Sequence, residues 1–402
     1  MNARERFLSV ARFERKNDPM WYFLDAWHEA YLRWHKEGMK VENMNDRKEL
    51  LMLLLGYQNQ YEFLIPNAAI KGIGPLNNPP WVPPLEPHYE EEVIEEKDGI
   101  VTMISWEGAK VRIRKDRPET MPQYLEYPVT DRKSWESHKE RLAPYSKERF
   151  PDGWNVMSDQ TVTNWPVKKE LEGKSIEQRD YVLFQMCASI FGMPREYMGI
   201  ERISLAIHDD PLLVQDMMEH QMWYSMEVLK QIFAAGVSFE VAFIWEDMAY
   251  KTGSLISPKI VKEWMLPRYR KITRLLRDNG VEVIQVDCDG NVDELLPLWM
   301  DAGVNCIYPL EVAAGMDPIK LRKKYGKNLI LTGGIDKREL AKDKTAVDKQ
   351  VDIVRELIKD GGYFVQGDHH LPEDIPYENL VYFINEVNKL GDYEEFHRTV
   401  EL

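Results

Sequence analysis

The chain has 402 residues with 44% hydrophobic and 11% aromatic content, ample for a packed core in one large domain or two, which excludes a disordered chain. Its net charge of -15, from 52 Lys and Arg against 67 Asp and Glu, argues against nucleic-acid binding, which needs excess basic surface. Cys187, Cys288 and Cys306 are too far apart for a disulfide framework or a metal knuckle, the start MNARERFLSV lacks a signal peptide's apolar core, and no apolar run spans a membrane, so a cytoplasmic protein is expected.

Residues 2 to 14 predict a helix that Asn2 caps, with Phe7, Leu8, Val10, Ala11 and Phe13 as its buried stripe. PMWYF at 19 to 23 predicts a first strand, and a helical segment carrying Trp27, Tyr31, Leu32 and Trp34 follows. Aromatics this dense are either core or a wall for a planar substrate, and Trp21, Tyr22, Phe23 and Trp27 are the candidates for that wall. Another helix is expected over 46 to 56. Residues 75 to 87 are proline-rich, and VIEE, IVTMISW and KVRIRK after them predict a three-stranded antiparallel meander. The whole of 75–130 is expected as an insertion, either a lid or a surface sheet. A charged helix and an irregular link fill 131 to 170.

From Tyr181 strands and helices alternate: YVLFQMCAS, helices broken at Asp210-Pro211, VSFEVAFIWED, a helix capped by Ser257, VEVIQVDCDGN, VNCIYPLE, NLILTGGID and GGYFVQGDHH. Such alternation with short links predicts a parallel sheet, closed or open. Polar groups recur at successive strand ends: Glu246 and Asp247, Asp287 and Asp289, Glu311, Asp336, then Asp368, His369 and His370. A closed barrel gathers such ends at one mouth, so the expected fold class is α/β, a (β/α)8 TIM barrel formed by a single domain over 1–402, with an N-terminal helical extension and a small antiparallel β insertion.

Walker loops, a GxGxxG turn and a GxSxG elbow are all missing, which leaves carboxylates and histidines for chemistry. Asp287, Asp289 and His369 form a ligand set suited to zinc or a harder divalent cation, with Cys288 and His370 as alternatives; acidic strand tips that merely cap helices are the competing explanation. Glu246, Asp247, Asp287 and Glu311 are the acid/base candidates, Tyr308 a pocket residue, and Arg195 either a carboxylate holder or half of an ion pair.

NARERFL at the start, FGMPREYMG at 191–199, WEDMAYKTGSLISPKIVKEWMLPRYRKI at 245–272, VDCDGNVDELLPLWMDAGVNCIYPLEVAAGMDP at 286–318 and LRKKYGKNLILTGGIDKREL at 321–340 resemble the uroporphyrinogen decarboxylase superfamily. That superfamily includes the corrinoid-dependent methyltransferases, and the resemblance spans nearly the whole chain. The decarboxylase proper binds its substrate's carboxylates through an arginine-rich MRQAGRY motif; the corresponding PMWYFLDAWHEAY has no arginine, which disfavours that substrate. The methyltransferase branch holds zinc through an H-x-C pair and a later cysteine. On that pattern Asp287 stands at the histidine position, Asp289 at the first cysteine and His369 near the later one.

Oxygen and imidazole ligands would leave a metal a stronger Lewis acid towards an ether oxygen than thiolates do. The resemblance therefore implies the substrate-side methyltransferase of an O-demethylase-like system, moving a methyl group from a methylated small molecule, such as a methoxy-aromatic, to the corrinoid of a partner protein. A decarboxylase or lyase acting on a smaller carboxylated substrate, or a non-catalytic binding barrel, is the alternative; a homodimer is within the expectation.

Overall fold

The computed structural model describes residues 1–22, 26–39, 85–116, 121–145, 155–158, 161–166, 182, 184–187, 189–234 and 238–392. The expected helix over 46 to 56, the proline-rich stretch up to 84 and Phe23 lie outside them.

The first helix, Ala3–Ala11, starts where its sequence dictates: the Asn2 side chain accepts from the Glu5 amide and the Glu5 carboxylate accepts from the Asn2 amide. Its apolar stripe carries Phe7 to a stack on Phe364, 4.6 Å between ring centroids. Trp21 then bridges in parallel to Val365, and helix His28–Lys36 follows.

The segment expected as an insertion has four strands where three were expected: β1 (Glu92–Lys97), β2 (Ile100–Ile104), β3 (Lys110–Arg114) and β4 (Gln123–Glu126), in sequential antiparallel order. The fourth is short and mostly polar (QYLE), so its pairing with β3 lends it an order its own pattern does not announce. A helix, Arg132–Lys139, opens on Asp131, and the link expected to be irregular contains a hairpin of β5 (Asn155–Ser158) and β6 (Thr161–Pro166).

The main sheet comprises β7 (Phe184–Met186), β8 (Val241–Trp245), β11 (Val283–Asp287), β12 (Cys306–Tyr308), β13 (Ile330–Thr332) and β14 (Tyr363–Phe364). Its order is β14-β13-β12-β11-β8-β7 and every neighbouring pair is parallel. Between β8 and β11 lies a two-stranded ribbon of β9 (Ala249–Tyr250) and β10 (Gly253–Ser254). Strand interiors are buried, as parallel strands covered by helices must be. Asp210-Pro211 separates helices Ile200–Asp209 and Pro211–Ala234, and Ser257 and Asp317 cap the helices that follow them. The helix after β11 runs over Leu296–Asp301, and Asp293 ahead of it pairs with Lys324.

The sheet curls. Tyr22, beyond β14, donates its hydroxyl hydrogen to Gln285 Oε1 on β11 at 2.6 Å, a contact that a flat sheet would not permit at that separation. The architecture is therefore of TIM-barrel type, an arc of parallel strands with helices outside. No ladder joins β7 to the Trp21 segment among the described residues, so the arc they form is not a closed ring. No helix among them is long and apolar enough to cross a membrane.

Candidate active site at the carboxyl ends of the strands

Asp287 is in register with Trp245 on one side and Tyr308 on the other, so all three side chains share one face at the carboxyl ends of β8, β11 and β12. Gln285, two residues earlier on the same face, bonds inward to Tyr22, so this face is the barrel interior. Past β8 the backbone turns at Asp247 with φ 42°, and the amide of Asp289 donates to Asp247 Oδ1 at 3.0 Å. Asp247, Asp287 and Asp289 thereby each bring a carboxylate oxygen within 4.8 Å of the others. Gly290 lets the tip after β11 tuck under the β9–β10 ribbon: at φ 85° a Cβ there would lie 2.8 Å from backbone atoms of Ala249 and Tyr250.

The three acids are not equivalent. Burial, then the charges of Asp247 and Asp289, pushes Asp287 well above the usual carboxylate range, and its side chain has no hydrogen-bond partner among the described residues. Burial and then Asp289 raise Asp247 also. Asp289 goes the other way: burial would raise it, but its hydrogen bond and ion pair with His369, 3.4 Å away, outweigh that and hold it low. His369 stacks towards Trp27 at 6.4 Å, and His370 lies 5.1 Å from the same ring. Oxygen donors with one carboxylate unpaired suit a hard or borderline divalent cation, held by Asp247, Asp287 and Asp289 with His369 on the flank.

Of the expected metal set, Asp287 and Asp289 are brought together, with Asp247 as the third member of the group; His369 lies outside that group and contacts Asp289. The aspartate at the end of WED was legible as an acid but not as a cluster member, because its position depends on a left-handed turn. Cys288 does not reach the mouth. It is fully buried, with its Sγ accepting from the Met248 amide at 3.2 Å, since successive strand residues point to opposite faces. Cys187 and Cys306 are buried too, so a thiolate zinc set does not fit this site.

Glu246 points away from the interior for the same reason. It is fully buried and accepts the amides of Ile190, Phe191 and Gly192 at 2.7, 2.8 and 2.9 Å, with the Tyr269 hydroxyl as a further donor. Its carboxylate fastens the start of helix Gly192–Met198 and is placed outside the acid/base group. Glu311 borders the cluster and accepts the Gly290 amide at 2.7 Å, which fixes the loop. Asp368 accepts from the Val312 and Lys337 amides.

Of the expected aromatic wall, Trp21 is fully buried and donates to Asn388, so it is core. Tyr22 and Tyr308 form an interior floor, 6.2 Å apart, with the Gln366 amide donating to the Tyr308 hydroxyl oxygen at 3.1 Å. Trp27, 46% exposed, stands at the rim. Arg195 resolves to the ion-pair alternative, bonded to Glu196 and Asp247.

No curated protein matches the chain. Among solved structures, a methyltransferase from Methanosarcina mazei is similar at 15% identity with a TM-score of 0.58, over 97% of this chain and 99% of that one. A likeness at that identity carries the barrel architecture. The family described as Uroporphyrinogen decarboxylase (URO-D) matches residues 180–390, just over half of the sequence, which includes β7 to β14 and the whole acidic cluster. The chain belongs to the uroporphyrinogen decarboxylase family.

Proposed function

We propose that the protein is a methyltransferase that takes a methyl group from a methoxylated small molecule and passes it to the corrinoid of a partner protein. The observation that carries this reading is the convergence of Asp247, Asp287 and Asp289 at the mouth, with the Asp287 carboxylate accepting no hydrogen bond among the described residues. When bound there, a divalent cation supplies Lewis acidity at an ether oxygen, which makes the departing alkoxide or phenolate a better leaving group. Tyr22 and Tyr308 line the floor on which a ring rests, and Trp27 flanks it at the rim. His369 keeps Asp289 ionised, and Glu311 keeps the Asp289-Gly290 loop in place. Decarboxylation of a polycarboxylate is the weaker reading, because Arg195 is already committed to Glu196 and Asp247.

Incubation of the purified protein with a divalent cation, a reduced corrinoid protein and a panel of methoxy-aromatics tests the proposal. The expected result is substrate-dependent conversion of the corrinoid absorbance to that of its methylated form, with one demethylated product per methyl moved. Absence of conversion across methoxy-aromatics and methylamines overturns it.

A further inference from the structure

Arg195 belongs to helix Gly192–Met198, whose start Glu246 fastens, and it makes more polar contacts with the acidic mouth than any expectation assigned it. Its Nη1 donates to the Asp247 carbonyl oxygen at 2.8 Å, and its Nη2 pairs with Glu196 Oε1 at 2.9 Å and lies 3.7 Å from Asp247 Oδ2. The guanidinium sits 5.0 Å over the Trp245 ring, whose Nε1 donates to Asp247 Oδ2 at 3.1 Å. A non-glycine residue in the left-handed region is strained and persists only where its surroundings hold it. At Asp247 those surroundings are Arg195 on the carbonyl, the Asp289 amide on one carboxylate oxygen and Trp245 on the other.

The same helix carries the inserted sheet. The Tyr127 ring fills the space that a Cβ on Gly199 would need, at 2.3 Å, and stacks on Tyr124 with centroids 5.5 Å apart. The Val129 amide donates to the Tyr197 carbonyl oxygen at 3.0 Å. Glu196, the partner of Arg195, lies close enough to Glu107, Tyr124 and Tyr127 of the insertion for its charge to act on all three.

We propose that Arg195 is the positioning residue of the acidic mouth: it locks Asp247 in the conformation that lets Asp247, Asp287 and Asp289 share a cation, and through Glu196 it ties that conformation to the docked insertion. This rests on the cation reading of the proposed function. A fixed positive charge near a cation site opposes binding, so loss of a mere electrostatic neighbour would tighten binding, whereas loss of a positioning residue weakens it.

Mn2+ titration of the full-length protein, followed by calorimetry and by the Mn2+ magnetic resonance spectrum, separates these. Wild type binds with one spectrum; Arg195→Met weakens binding by about tenfold and broadens the spectrum. Arg195→Lys, which keeps the charge and one donor, restores part of both, and Glu196→Gln weakens binding by a smaller factor. Wild-type protein that binds no Mn2+ overturns the cation reading itself. If wild type binds and Arg195→Met binds equally or more tightly, the positioning role is overturned while the cation reading stands. An unfolded Arg195→Met leaves the decision to Arg195→Lys, in which wild-type affinity and spectrum overturn the need for the full fork. Unchanged Glu196→Gln overturns the link to the insertion.

Discussion

His369 Nε2 lies 3.4 Å from Asp289 Oδ2, and this pairing shifts both groups against the direction in which burial alone would move them. Burial lowers His369, yet the hydrogen bond and charge of Asp289 raise it overall. Raised in the fold, His369 contributes stability that is full below its unfolded value near about 6.5 and is lost as pH rises through its folded value. Depressed in the fold, Asp289 contributes stability that is lost as pH falls through its own folded value. With chelator present, His369→Gln is therefore expected to melt below wild type near about pH 6 and to converge with it above about pH 8. Paired thermal melts at the two values check this, and an equal deficit at both would remove the ion pair from the account.

Asp287 and Asp247 give the opposite kind of pH dependence. Burial first, and neighbouring acids second, raises both above the usual carboxylate range, so a cation competes with protons for them at higher pH than it would at ordinary carboxylates. Mn2+ affinity is expected to rise between about pH 5.5 and about pH 8, with proton release on binding. Asp287→Asn is expected to lower it by at least about tenfold, read by calorimetry in two buffers of different ionisation enthalpy. Affinity that does not change with pH would mean that the acids are already ionised.

Glu246 carries a prediction about stability. Three backbone amides and the Tyr269 hydroxyl donate to its buried carboxylate. Glu246→Gln keeps the shape but turns one acceptor into a donor that faces other donors, at a cost of about 2–4 kcal/mol. Denaturant unfolding should register that loss, whereas activity per folded molecule should fall much less than in Asp287→Asn.

The parallel strands were legible because their apolar runs and short polar links are local features, and the end-of-strand acids fell where those runs stop. The capping box at Asn2 and Glu5 and the caps at Ser257 and Asp317 also follow from neighbours within three residues. What local pattern hid was direction. Glu246 and Asp247 are adjacent in sequence, yet one fastens a helix and the other lines the mouth, because the left-handed turn at Asp247 comes from contacts with Arg195 and Trp245. Trp21 and Tyr22 divide likewise, into the helix layer and the barrel interior. The strand β4 and the hairpin β5–β6 depend on their partners for order, so composition gave no notice of them.

The cysteines offer a quick check on the departure from a thiolate site. Burial raises Cys187 and holds Cys288 well above the usual thiol range; Cys306 is pushed up to about 12. Native protein is therefore expected to resist a thiol-reactive chromophore at about pH 8 and to react at three thiols once unfolded. Rapid labelling of Cys288 in the native protein would place its sulfur at the mouth after all.

Glu107 sits where the insertion meets the barrel, and it titrates in a physiological window. Burial is the main cause, the charge of Glu196 adds to it, the Tyr124 hydroxyl 3.2 Å away partly offsets both, and the carboxyl is raised to about 7. A raised carboxyl favours the protonated form in the fold, so its contribution to stability is full below its unfolded value near about 4.3 and is lost as pH rises through about 7. Glu107→Gln mimics the protonated state at every pH. The variant is expected to match wild type near about pH 5 and to melt a few degrees higher near about pH 8.5. Proteolysis within 85–130 should slow in parallel, since a protonated or amide side chain no longer repels Glu196 across the junction. A variant that is less stable than wild type at the higher pH would show that ionised Glu107 is favourable there, and that the insertion docks by charge attraction.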